Sequence, residues 1–186
     1  MNYYGAKELA ASFRTVRKNT ITIAEEIGEE HYGFQAAPDT RTVAQILTHI
    51  ALGPRLAQQI HGTEHLATLE GFDFMGFFGK LMAEEQTPRG KKEIIALLVE
   101  GGDVFAGWLE GLTDELLGEA VSFPAGMIPP GKSRFEMILG VKEHEMHHRA
   151  QLMMMERMVG LVPHLTRAMN ARVAEMQAAA AAKASA

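Results

Sequence analysis

Two histidines, His144 and His148, stand one helical turn apart in a segment that otherwise reads as core. From Met137 the inward-facing series runs Met137, Val141, His144, His148, Leu152, Met155 and Val159, in steps of three and four, the spacing of one helix face. Burying an imidazole without a partner is costly. Residues four apart lie on the same face, roughly 6 Å apart along the axis, so both rings can converge on one ion. Imidazole is the commonest protein ligand for zinc, nickel and related ions, and a catalytic site typically combines three protein ligands with an open position. His49, beside Ile46 and Ile50 at the edge of another apolar arc, is the candidate third ligand. His61 and His65 have the same spacing, but Gly62 puts the first of them at an expected helix end, so they read as the weaker pair.

The neighbours of the pair offer proton-transfer groups. His147 lies on the same helix about 60° from His144, on the side away from His148, the place of a rim or supporting residue. Glu145 and Arg149 are four apart in the orientation that favours a helix ion pair. Two readings stand for them: a solvated pair, or the orientation of a ligand or of a substrate carboxylate. Glu145 and His147 are thus the candidate catalytic groups. His144-Glu145-Met146-His147-His148 also satisfies H-E-x-x-H, the zincin metalloprotease signature. Against a protease stand Gln151 and Met154 where the longer form needs glycine and histidine, and the lack of a strand to pair with an extended peptide.

Composition narrows the partners. The net charge of −5 leaves no basic footprint for nucleic acid. No apolar run approaches the roughly 20 residues of a membrane span, and the N-terminal residues lack a secretory pattern, so a cytoplasmic location is expected. With no cysteine, any metal site must use histidine and any thiol chemistry must use a thiol brought by the substrate.

The elements that must carry these residues are helical. Leu9, Phe13, Val16, Thr20, Ile23 and Ile27 mark a first helix. Thr42 and Gln45 form a capping box for a second, which Pro54 should kink or shorten. Phe72 to Met82 suggest a short helix packed over the core as a lid, or else a subunit contact. A third long helix is expected from Thr87-Pro88, with Gly101-Gly102 admitting another backbone. Residues 118–132, rich in proline and glycine, should be a loop. Ser133 and Glu136 cap a fourth helix that Gly160 and Pro163 close, and Leu165 to Met176 suggest one more before an alanine-rich tail. The fold class is all-α, an antiparallel bundle over residues 1–165 with a helical or flexible tail over 166–186.

The runs Thr42-Val-Ala-Gln-Ile-Leu-Thr-His49-Ile-Ala, His144-Glu-Met-His-His148-Arg-Ala-Gln-Leu152 and Gly160-Leu-Val-Pro163 resemble the DinB/YfiT-like superfamily in residue type and order over about residues 5–165. The resemblance implies a four-helix bundle of up-down-down-up topology, usually a homodimer, with His49, His144 and His148 as ligands of a divalent metal, zinc or nickel being the expected ions. It also implies a metal-dependent enzyme acting on a small-molecule substrate, a low-molecular-weight thiol or its conjugate, as transferase or hydrolase. The alternative is a non-enzymatic stress-related protein with a structural three-histidine site. Ala150 departs from the glycine many members carry, and its methyl is expected to bear on how closely a neighbouring helix approaches.

Overall fold

The computed structural model describes residues 4–184; the first three residues of the expected bundle and the last two of the expected tail lie outside them. Four long elements form the bundle: α1 (Ala6–Glu26), α2 (Val43–Leu52), α5 (Lys91–Glu110) and α7 (Arg134–Met158). α2 is extended past Pro54 by α3 (Pro54–Ala57) and a π-helical turn, Gln58–Thr63. Between them and α5 lies α4 (Phe74–Glu85). α6 (Asp114–Gly118) leads into a two-stranded antiparallel hairpin of β1 (Ala120–Ser122) and β2 (Gly131–Ser133), and α8 (His164–Ala184) ends the described chain.

Contacts between named residues fix the topology. α1 and α2 each pack against both α5 and α7. Lys91 at the start of α5 donates to the carbonyls of Glu25 and Ile27 at the end of α1, while Phe105 meets Phe13 edge-on, so these helices run antiparallel. Lys142 reaches Ser12 and Glu145 reaches Arg17, so α7 runs parallel to α1. The order is up-down-down-up, with the short α4 between the second and third long helices and a helical tail after the fourth.

The core divides into two apolar clusters. One contains Ile23, Leu47, Ile50, Leu98 and Leu152, the other Leu9, Phe13, Phe105, Leu109 and Ile138. Between them lies a polar layer built on Arg17, which is only 3% exposed. Its guanidinium donates to both Glu145 carboxylate oxygens at 2.9–3.1 Å, to Leu98 O at 2.8 Å and to Ile50 O at 3.3 Å. Thr20 Oγ1 adds a 2.7 Å bond to Glu145. One side chain of α1 thereby binds α2, α5 and α7. The Ile50 carbonyl needs such a donor, because its partner four residues on is Pro54, which has no N–H.

Several expectations change here. Glu145 is 2% exposed and pairs with Arg17, not with Arg149 in a solvated pair. The most buried line of α7 is accordingly Ile138, Glu145 and Leu152, which leaves Met137, Val141 and His144 half-buried along its flank. Of the Gly101-Gly102 pair, Gly101 does face another backbone, its β-position 3.5 Å from Ala51 O of α2, whereas Gly102 admits a side chain: a β-carbon there would lie 2.9 Å from Arg17 Cγ. α5 begins at Lys91, because Glu93 closes a capping box on the Gly90 N–H, while Thr87 and Arg89 bond back to the end of α4. The expected loop contains the β1–β2 hairpin. Ala150 is exposed, so its methyl meets no neighbouring helix.

Glu156 on α7 is fully buried and both its carboxylate oxygens lack a hydrogen-bond partner among the described residues. Burial, reinforced by Glu26, pushes its pKa up to about 7. A folded-state value above the unfolded one means that the group opposes folding least below about pH 4.5 and that stability falls as pH rises through about 7.

Two outcomes follow for unfolding in urea. Arg17→Met, which leaves the Glu145 charge buried and unpaired, lowers the unfolding free energy by about 3–5 kcal/mol; a loss under about 1 kcal/mol, the scale of an exposed pair, would contradict the polar layer. Glu156→Gln gains stability over the parent at pH 8.5, by up to about 3 kcal/mol, and gains little at pH 5. An equal difference at both pH values would refute the buried-acid assignment.

Candidate metal centre

The histidines are placed by two capped helices. His49 sits on α2, whose start is fixed by the Thr42–Gln45 capping box. His144 and His148 lie one turn apart in the middle of α7, opened by the Ser133–Glu136 box. Gly53 lies directly over His144, its β-position 3.4 Å from the ring Nδ1. The Arg17 bonds to Ile50 O and Glu145 fall on the residues next to His49 and His144, so the polar layer fixes the axial register of the two helices at the level of the rings.

The three rings converge through their Nε2 atoms. His49 Nε2 is 3.0 Å and His148 Nε2 3.1 Å from His144 Nε2, and the three ligand atoms lie within 4.8 Å of one another. Tetrahedral coordination with metal–nitrogen distances near 2.0–2.1 Å places ligand nitrogens about 3.3 Å apart, and the two separations from His144 fall within a few tenths of an ångström of that value. The outer nitrogens are engaged as well. His49 Nδ1–H donates to Glu85 Oε2 at 2.9 Å, and His148 Nδ1–H donates to Gln151 Oε1 at 2.8 Å. These bonds leave the lone pairs of both Nε2 atoms turned toward the centre.

Electrostatics favours the ligand form. Burial is the largest cause lowering the pKa of all three rings. His144, with His148 and His49 beside it, is taken down to about 4. Arg41 lowers His49 further, against Glu85, which raises it. The imidazoles are held neutral near pH 7, as coordination requires.

Glu145 and His147 occupy different places. Glu145 points into the core at Arg17 and Thr20, away from the converging Nε2 atoms. His147 is exposed; its ring lies 4.9 Å from that of His148, and its Nε2 accepts from the Gln151 amide at 3.2 Å. It stands on the rim, joined to His148 through Gln151. His61 and His65 do not converge on an ion. His61 accepts from Arg134, and His65 bonds Glu119.

Glu85 was not visible as a site residue in the sequence. It is buried at the end of α4, holds His49 with one oxygen and accepts from Arg41 Nε with the other at 2.5 Å. The only sequence signal is its position, ending the aromatic segment expected to cover a pocket. α4 does cover one: Phe78, Leu81, Met82 and Glu85 close a cavity of about 430 Å³ whose other walls include Leu52, Leu56, Met137 and Val141, and which reaches His49 and His144. A more polar cleft of about 730 Å³, lined by Gln45, His148 and Gln151, approaches from the other side.

Loss of the partner that orients a metal-binding imidazole typically lowers metal affinity about 10–100-fold. Glu85→Ala is expected to raise the zinc dissociation constant by that factor in a competition titration with a chromogenic chelator, with the fold retained by circular dichroism. An unchanged constant would remove Glu85 from the centre.

Comparison with known proteins agrees with the bundle fold. The structure is similar to the DinB-like protein YjoA of Bacillus subtilis, with a TM-score of 0.60 and 19% identity over 82% of this chain and 92% of that one. It is also similar to YfiT of Bacillus subtilis, described as a probable metal-dependent hydrolase with an unusual four-helix bundle topology, with a TM-score of 0.64 and 16% identity over 87% of this chain and 91% of that one. At these identities the likeness establishes the fold. No curated relative matches the sequence. Residues 12–152, which include all three histidines, match the DinB superfamily, and the chain belongs to that superfamily.

Proposed function

We propose that the protein is a metal-dependent enzyme that acts on a small thiol or a thiol conjugate, by group transfer or hydrolysis, with zinc or nickel on His49, His144 and His148. One observation carries this reading: three neutral imidazoles bring their Nε2 atoms together where a mainly apolar cavity, lined by His49 and His144, and a more polar cleft, lined by His148, approach each other. A divalent ion held by three imidazoles leaves coordination open for a water or a thiol and lowers its pKa toward neutrality.

The side chains around the centre suit that task. Glu85 and Gln151 hold two rings in the ligating tautomer. Leu52, Leu56, Leu81, Met137 and Val141 give the chamber mainly apolar walls. Arg41 lines both the cavity and the outer cleft and brings a cation to the mouth, suited to an anionic group on a substrate. Where an acid or base is needed, exposed His147 can exchange protons with solvent. Glu145 is committed to Arg17 and has no such role in this proposal.

A structural ion sealed in by apolar side chains is the competing reading. The polar residues Arg41, His61 and Glu85 on the chamber wall favour the enzyme. The test combines elemental analysis with assays of thiol conjugation and thioester hydrolysis, before and after chelation. About one first-row ion per chain is expected, lost in His144→Ala. Chelation should lower the rate by at least about 100-fold, more than loss of a supporting partner alone causes. Metal retained by His144→Ala, or equal rates with and without metal, would overturn the proposal.

A further inference from the structure

The chamber has a second polar pole. His61 lines it, on the π-helical turn that follows α3. Twelve residues separate His61 from His49 along α2, α3 and this turn, and its partner Arg134 lies ten residues before His144 on α7. At about 1.5 Å per residue, both helices put His61 roughly 15 Å or more along the axis from the ligating positions. Leu52, Leu56, Ile60, Met137 and Val141 line the chamber along with these two poles.

The state of the His61 ring is fixed by what lies behind it. Arg134, 1% exposed, points its Nη1 at His61 Nδ1 at 3.1 Å, and its Nε at Glu119 at 2.8 Å. A guanidinium has donors only, so Nδ1 must accept and the ring hydrogen must sit on Nε2. Burial first, then Arg134, takes the His61 pKa down to about 4, so the ring is neutral. His61 is 3% exposed, yet its Nε2 makes no hydrogen bond to the described residues and is not sealed from solvent. His61 is itself one of the residues that line the chamber. The local backbone serves this aim. The π turn adds a residue to the helix where His61 must rotate inward, a device frequent at functional sites. Gly62 leaves room for Trp108, whose Nε1 would lie 3.1 Å from a β-carbon there.

We propose that His61 is a specificity-determining residue, a fixed neutral hydrogen-bond donor that selects ligands carrying an uncharged acceptor, such as a carbonyl or ether oxygen, at the far end of an apolar body from the histidine triad. This rests on the reading of the cavity as a substrate chamber. A carboxylate is disfavoured at that pole, because the one cation behind His61 is already engaged by His61 and Glu119 and the walls are apolar. An acceptor-free hydrocarbon leaves the donor unpaired, which costs it affinity.

Prodan, a neutral naphthalene ketone whose emission moves to longer wavelength when its carbonyl accepts a hydrogen bond, tests this without turnover. The parent protein should bind it, and Leu56→Trp, which fills the chamber, should abolish binding. His61→Phe should weaken binding about 5- to 10-fold, the worth of one neutral hydrogen bond, and shift the bound dye's emission to shorter wavelength. His61→Gln, which keeps an amide N–H near the Nε2 position, should restore the longer-wavelength emission. Equal affinity and emission in the parent and His61→Phe, or no binding by the parent, would overturn the assignment. Metal content, measured on the same samples, reports separately on the histidine triad: loss of metal with the dye result intact would refute the enzyme reading and leave His61 as a ligand-selecting donor.

Discussion

The bundle depends on one buried guanidinium. Arg17 donates to α2, α5 and α7 from α1, so the four long helices meet at a single charged group between two apolar clusters. Hydrophobic burial alone would tolerate small axial slips between helices, since apolar contacts are not directional. Hydrogen bonds to a fixed fork of donors do not. Because those bonds land on Ile50 and Glu145, beside His49 and His144, the interaction that sets the register of the fold also sets the distance between two of the candidate metal ligands. Two sequence features that look like defects make this possible. Pro54 leaves a carbonyl for Arg17 to satisfy, and Gly102 clears the space in which Arg17 lies.

Around that brace the polar groups are sorted by what they can pair with. Glu145 pairs with Arg17, His49 and His148 bond Glu85 and Gln151 while burial keeps their rings neutral, and Glu156, with no hydrogen-bond partner among the described residues, is pushed toward its neutral form. The chamber beside the histidines is a consequence of the same packing. α4 packs on α2 and shares the lining of the chamber with α2 and α7, contributing apolar side chains to the cavity wall and one carboxylate to His49. The element that covers the chamber therefore also holds the ring of His49.

Much of this is legible in the sequence because it is periodic or locally capped. The four long helices follow from three-and-four spacing, and the starts at Thr42 and Ser133 from their capping boxes. His144 and His148 were visible because polar residues interrupted an apolar face, and His49 because it stood beside one. Glu145 misled for a physical reason: its partner is 128 residues away, and an i to i+4 arginine offered a nearer explanation. Glu85 and His61 depend on how α4 and the π turn fold back over α7, which no local pattern encodes. The pair at 61 and 65 shows the limit of spacing as a signal. It matches the 144 and 148 pair in sequence, yet its rings go to Arg134 and Glu119.

The most direct test of the account is the identity of the atoms around the bound ion. X-ray absorption at the metal edge of zinc-loaded protein should show three imidazole nitrogens at about 2.0–2.1 Å, falling to two in His49→Ala, with the remaining ligand supplied by water or buffer. A first shell dominated by carboxylate oxygens, or a spectrum unchanged by His49→Ala, would place the ion elsewhere and contradict the three-histidine centre.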